Sequence, residues 1–559
     1  MVKAALGFVV RPVGVLLAGA IYSVLVRYFD TRWTFLPYTI ATTGSMAALF
    51  FLLTRRYVFS LYAAGTIIML ATLVSLLKFR HNGLALHVYD FVFTGTDWSL
   101  FGFLLSNYTV IIVSALLIGG AAIAFLAALY RFERPQRLPL SIRLAGIGVF
   151  VGAAYIAHPA RNSQEAEFLP YVAGYNASAL PLSLWNLPDL FGRLPLAEQI
   201  DLVHIEAPFR DAVDCGPERK KPDVFLVLAE SQVPPTAFPE LGMSPQLAAS
   251  FRSGDGVIKP FFAETLGAGT WMTNFSVLTG LSTADFTWQG AYVTQLLENK
   301  IKGALPDVLS RCGYRTVAVI PLKYHALNEG PFLKSTGFQE VYDSDRTGLE
   351  PMKVRDRAYY AFIEDLIARH RKEDGRPLFI NLQTMFSHAP YEEVLLPETG
   401  DPVVGRSSDP ETNEYMRRLG IARRDLEGFR AWLTEEPGPR GSVLAEFGDH
   451  QSVATRELVL ARRPDRAILA DLRSAIYETY YAIRGYGAEV DYSLLEQAED
   501  APFLPARLVA AARLPTSPVF EDLVGLSDAC LGRFHVCADR ALVDRHLKRR
   551  IAAGMLEVE

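Results

Sequence analysis

Two hydrophobic patterns divide the chain. Up to about residue 160, apolar residues come in long runs, at 5–26, 36–54, 57–77, 108–129 and 142–158, most of them near the ~20 residues a helix needs to cross the hydrocarbon of a bilayer. Several such runs in so short a region are rare in soluble folds, so residues 1–160 read as a polytopic α-helical membrane domain of about five helices. Beyond them the runs shorten to strand length. "DVFLVLAES" (223–231), "TVAVIP" (316–321), "PLFINLQTMFSH" (377–388) and "SVLAEFGDH" (442–450) are near-continuous apolar stretches, each ending in polar or turn-forming residues, as buried parallel strands do. Helical stretches such as 416–435 lie between them. The alternation predicts an α/β domain over 222–559 with a mostly parallel central sheet, whose ligands bind at the carboxyl edge of the strands. A linker over 161–221 joins the two parts.

Basic residues in the short loops set the expected orientation, because Lys and Arg are retained on the cytoplasmic side. Lys3, Arg55, Arg56, Arg131, Arg134, Arg137 and Arg143 fall on one side. Arg27, Arg32, Lys78 and Arg80 fall on the other, where Asp30, Asp90 and Asp97 share their loops. A cytoplasmic N-terminus and five spans place the α/β domain outside; four or six spans would place it inside. The first run is long and lacks a cleavage pattern, so it serves as the export signal itself. The segment 81–108, rich in aromatic and apolar residues, suits the membrane interface.

The 559 residues are half hydrophobic with a formal net charge of -5, which excludes a disordered chain and gives no sign of a nucleic-acid partner. Cys215, Cys312, Cys530 and Cys537 all lie in the second part. They fit two disulfides in an oxidising compartment or four buried thiols, and they match no common zinc spacing. A Cys530–Cys537 pair would close a short loop.

Candidate chemistry gathers at the strand ends. Glu230, Asp449 and His450 offer two carboxylates and an imidazole, a donor set suited to zinc or manganese. Thr270 follows the Gly-x-Gly turn of "ETLGAGTWMTNF" and precedes an apolar run that reads as a helix, whose first N–H groups favour an anion. A threonine hydroxyl is a poor nucleophile alone, and a bound metal favours its alkoxide. Each feature taken singly is more often an ordinary polar loop; the ordered set at successive strand ends points to a site. Glu446 has no assigned role, and residues 491–559 show no readable chemistry.

Taken together, these residues resemble the membrane-anchored phosphotransferases of the alkaline phosphatase and sulfatase superfamily, and most closely lipoteichoic acid synthases and the phosphoglycerol transferases of periplasmic glucans. The likeness covers nearly the whole chain through "AES" (Glu230), "GAGT" (Thr270), "SHAPY" (His388) and "GDHQ" (Asp449, His450). It implies a C-terminal sulfatase-like domain with one divalent ion, Mn2+ or Zn2+, held by Glu230, Thr270, Asp449 and His450. Thr270 would be the nucleophile and His388 would sit by the substrate phosphate. It further implies a multi-pass protein of the bacterial inner membrane, a phospholipid donor, an envelope glycan or glycolipid acceptor, and a phosphothreonine intermediate. In "KYHALNEGPFLKSTGFQEVYD" (323–343) His325 and Asn328 match substrate contacts, but the Trp and Arg of the lipoteichoic acid synthases are replaced, at best, by Phe332 and Lys334.

Two alternatives follow from the same superfamily: phosphoethanolamine transfer to lipid A or another envelope acceptor, and hydrolysis of a phosphodiester. Sulfatase action itself is disfavoured, because Met272 and Asn274 stand where the sulfatase signature has Pro and Arg.

Overall fold

The structure is a computed structural model that describes residues 9–30, 35–95, 98, 102, 104–105, 108–158, 171–192, 194–216, 221–397, 405–462, 471–472 and 474–558. Outside the described residues lie the start of the first apolar run, Lys3, Arg32, Asp97, much of the 96–107 stretch of the interfacial segment, and 161–170, 193 and 217–220 of the linker. The chain divides into two compact units, Met1–Phe191 and Gly192–Glu559.

Among the described residues the first unit holds five helices long and apolar enough to cross a membrane: α1 (Pro12–Phe29), α2 (Leu36–Thr54), α3 (Tyr57–Asn82), α4 (Thr109–Phe132) and α5 (Leu140–Ala157). Pro12 stands in the first turn of α1, where its missing N–H costs nothing. The shortest run still becomes a full α5 of 18 residues. Of the expected linker, residues 171–191 fold onto the helix ends in this unit. Asp30 accepts the Ala177 N–H (2.9 Å), and the Tyr38 hydroxyl donates to Pro181 O (2.9 Å). The Ser75 hydroxyl donates to Asn176 Oδ1 (2.9 Å).

Residues 194–216 belong to the second unit, where the Leu194 N–H donates to Val558 O (3.0 Å) and Asp214 bridges to Thr516. Among the described residues its sheet has eight strands: β1 (Asp223–Ala229), β2 (Lys259–Phe262), β3 (Arg315–Val319), β4 (Glu340–Tyr342), β5 (Leu378–Gln383), β6 (Ser442–Gly448), β7 (Glu478–Tyr486) and β8 (Glu499–Asp500), in the order β4-β3-β5-β1-β6-β7-β2-β8. The β4-β3-β5-β1-β6 half is parallel, and β7 runs antiparallel to both β6 and β2. β1 and β6 are buried along their whole length, which is why they read as unbroken apolar runs.

The helices that matter here are α6 (Thr270–Thr279), α7 (Asp356–Glu373) and α8 (Pro410–Glu435). α8 starts six residues before the expected stretch, because Asp409 caps it by accepting the Thr412 N–H (2.8 Å). Glu446, midway along β6, pairs with Arg423 (2.9 Å) and Arg430 of α8. A buried carboxylate needs such partners, so Glu446 fastens the helix to the sheet. All four cysteines are oxidised, as Cys215–Cys312 and Cys530–Cys537.

Candidate active site

Strand register makes the first half of the site. Ala229 of β1 sits opposite Gly448 of β6, so the next residues, Glu230 and Asp449, leave the sheet side by side. A Cβ on Gly448 would lie 2.2 Å from the Gln232 carbonyl oxygen; only glycine permits that approach. Ser231 takes a left-handed φ of 53°, a conformation that costs about 1–2 kcal/mol outside glycine. In return its N–H donates to Asp449 Oδ1 (2.7 Å) and its hydroxyl to Glu230 Oε1 (2.8 Å). From the end of β5, Thr384 Oγ1 accepts the Glu230 N–H (3.1 Å).

The Gly-x-Gly turn makes the second half. Gly269 caps α6 with a φ of 86°, and a Cβ there would press on Thr265 Oγ1 at 2.9 Å. The Thr265 hydroxyl donates to Ala268 O (2.5 Å), and the Gly267 N–H donates to Gln451 O (3.0 Å). Thr270, the first residue of α6, thereby points its hydroxyl at Glu230 Oε2, to which it donates at 3.0 Å.

Glu230, Asp449 and His450 are all buried, and one ligand atom from each lies within 4.8 Å of the others. His450 Nδ1 faces the Gln451 carbonyl oxygen (2.9 Å), which fixes the proton on that nitrogen and leaves Nε2 as a lone pair. Nε2 then faces Asp449 Oδ2 at 3.2 Å and Glu230 Oε1 at 3.6 Å. Both Nε2 and Oδ2 are buried without a hydrogen-bond partner. Burial lowers the pKa of His450, pushes Asp449 up to about 7, and raises Glu230, which the Asp449 charge raises further. Lone pairs gathered in a dry site repel unless a cation sits among them. The donor set therefore fits a divalent ion, with Glu230, Asp449 and His450 as ligands and the Thr270 hydroxyl beside them.

His388 lies close enough to lower the pKa of Glu230 against burial. It is half-buried, its backbone carbonyl accepts from Arg418 (2.7 Å), and its Nδ1 faces the Ala389 carbonyl. The loop after β3 is on the same sheet edge but two strands from β1. There His325 is exposed, and the Asn328 amide donates to Thr294 O (2.9 Å) and Glu298 Oε2 (2.8 Å). Neither residue hydrogen-bonds to the carboxylate cluster. Supporting residues that the sequence did not single out are Ser231, Thr384 and Thr273, whose hydroxyl donates to Asp449 O (2.7 Å). Glu329 is a further one: burial pushes it up to about 7 against its hydrogen bonds to Gln383 and Asn274. Of these, only Ser231 carried a signal, as a hydroxyl directly after a strand-end acid.

The Sulfatase family model matches residues 222–464. A Haemophilus influenzae protein is 26% identical over 246 residues, covering 41% of this chain and 44% of that protein. A Rhizobium meliloti protein, named as a candidate for cyclic β-1,2-glucan modification, is 26% identical over 277 residues, covering 46% of this chain and 42% of that protein. The chain thus spans under half the length of these curated relatives. The lipooligosaccharide phosphoethanolamine transferase A of Neisseria meningitidis, an integral membrane protein, shares the fold with a TM-score of 0.51 and 12% identity over 90% of this chain and 97% of that one.

Proposed function

We propose, from the premise that residues 222–464 form a domain of the sulfatase and alkaline phosphatase superfamily, that this protein transfers a phospho-head group from a phospholipid to a hydroxyl of an envelope glycan or glycolipid. The reading rests on one observation: the Thr270 hydroxyl, at the start of a helix, donates at 3.0 Å to a carboxylate of a buried Glu–Asp–His cluster. The five apolar helices would hold the domain at the outer face of the bacterial inner membrane, where the donor is concentrated. Phosphoglycerol is the favoured group, and phosphoethanolamine is the alternative.

In the first half-reaction Thr270 Oγ1 attacks the phosphorus and its proton passes to Glu230 Oε2. The bond to the diacylglycerol oxygen breaks, and that oxygen takes a proton from His388. The acceptor hydroxyl then attacks the phosphothreonine while His388 takes its proton back, the phosphorus–Thr270 Oγ1 bond breaks, and that oxygen recovers its proton from Glu230. Backbone N–H groups at the start of α6 favour the anionic phosphate at Thr270. A divalent ion bound by Glu230, Asp449 and His450 would supply positive charge for the phosphoryl oxygens.

The purified full chain should release diacylglycerol from phosphatidylglycerol in the presence of Mn2+ or Zn2+. Thr270→Ala should lower the rate at least 10³-fold. Release that survives this substitution would refute the reading.

A further inference from the structure

Residues 491–559 carry no chemistry readable in the sequence, yet one disulfide-closed loop among them reaches the turn that presents Thr270. The path begins at Glu264, two residues past the end of β2 and just ahead of that turn. Its Oε2 accepts from the Ser282 hydroxyl (2.9 Å), the Thr283 N–H (3.2 Å) and the Thr283 hydroxyl (2.8 Å), just beyond the far end of α6. Its own N–H donates to Thr273 Oγ1 (3.1 Å), and the Thr273 hydroxyl donates to Asp449 O. One residue therefore ties both ends of the Thr270 helix, and ties it to the strand end that carries Asp449.

The other oxygen of Glu264, Oε1, faces His535 Nε2 at 3.3 Å, where the side chains are 0% and 6% exposed. His535 lies inside the loop closed by Cys530–Cys537, a sequence separation of 7. Asp500 on β8 anchors that loop, accepting the His535 N–H (3.0 Å) and Arg533 Nε (2.9 Å). β8 is hydrogen-bonded to β2 with Asp500 opposite Phe262, so the anchor and Glu264 share one sheet edge. Burial alone would raise Glu264 and lower His535, but their mutual attraction and the donors around Glu264 reverse both shifts. Arg540 with Asp285 borders the cluster.

We infer that His535 and Glu264 are positioning residues for Thr270, and that the Cys530–Cys537 loop holds His535 against Glu264. Glu264 Oε1 and His535 Nε2 stand at ion-pair distance without a hydrogen bond between them, so without His535 the buried carboxylate faces no positive charge at Oε1, a costly arrangement. The relief available to it is to swing out and release the turn between Glu264 and Thr273. The part that concerns catalysis rests on Thr270 being the nucleophile; the clamp on the turn does not.

The test compares the full chain in detergent micelles as wild type, His535→Ala, His535→Gln and the Cys530→Ser/Cys537→Ser double variant. Hydrogen–deuterium exchange is read over 264–273 and over β1, with Mn2+-dependent release of diacylglycerol from phosphatidylglycerol measured in parallel. His535→Ala and the double variant should exchange at least tenfold faster over 264–273 with β1 unchanged. Their kcat should fall at least tenfold and KM by less than twofold. His535→Gln keeps a donor for Glu264, so it should recover most of both losses. If His535→Ala also loosens β1, the double variant and His535→Gln decide the matter. Exchange over 264–273 within twofold of wild type in the folded variants overturns the clamp. A wild type that releases diacylglycerol from neither phosphatidylglycerol nor phosphatidylethanolamine, alongside the expected exchange changes, overturns the reading of Thr270 and leaves the clamp standing.

Discussion

Asp449 shows what a buried acid contributes at the scale of one residue. Burial pushes its pKa from the ordinary 3.8 up to about 7, so between those two values this carboxyl holds more proton in the folded, metal-free chain than in the unfolded one. Stability then falls as pH rises through that window, by on the order of 4 kcal/mol at most for a shift of this size. A bound cation replaces the proton and removes the slope. Thermal midpoints measured from pH 4 to 8 should therefore fall with pH in chelator-treated protein, and should fall clearly less after Mn2+ or Zn2+ is restored. Equal slopes with and without metal would show that Asp449 is not a ligand. Glu230, Thr270, Asp449 and His450 were legible in the sequence because each directly follows a strand or a Gly-x-Gly turn. Ser231, Thr384 and Thr273 were not, since their value depends on which strand end lies beside which. Glu446 looks in sequence like a neighbour of the site and is an ion-pair partner of Arg423 and Arg430 instead.

At the scale of elements, the site depends on how closely β1 and β6 end. The parallel strands were readable as apolar runs because both their faces are covered. β2, β4 and β8 span only 4, 3 and 2 residues, too short for a periodic signal. β7 has nine residues, but "ETYYAIRGY" mixes charged and aromatic positions on an antiparallel strand, so it did not resemble the runs that defined the domain. The closeness of the strand ends can be tested at Gly448. A methyl group there meets the Gln232 carbonyl at 2.2 Å, and backbone must move. Gly448→Ala should destabilise the domain by roughly 1–3 kcal/mol, as overpacking does. It should also weaken Mn2+ binding at least tenfold by calorimetry, because Glu230 and Asp449 are pushed apart. Unchanged metal affinity would mean that the register does not build the site.

For the whole molecule, five helices able to cross a membrane and an α/β domain with a mostly parallel sheet were both legible in the sequence, because each has its own hydrophobic period. The extent of the linker was not. Residues 171–191 fold by polar contacts to Asp30, Tyr38 and Ser75, which no periodicity reports. Neither was the reach of the C-terminal segment, which acts through the Cys530–Cys537 loop and His535. In the proposed reaction Thr270 carries the transferred group between a lipid donor and an acceptor. Mass spectrometry of the Thr270 peptide, after the full chain has been incubated with Mn2+ and mixed phospholipids without acceptor, tests this most directly. A phosphoglycerol adduct on Thr270 is expected, disappearing when acceptor is added, with a phosphoethanolamine adduct marking the alternative donor. An unmodified Thr270 peptide from protein that is releasing diacylglycerol would contradict it.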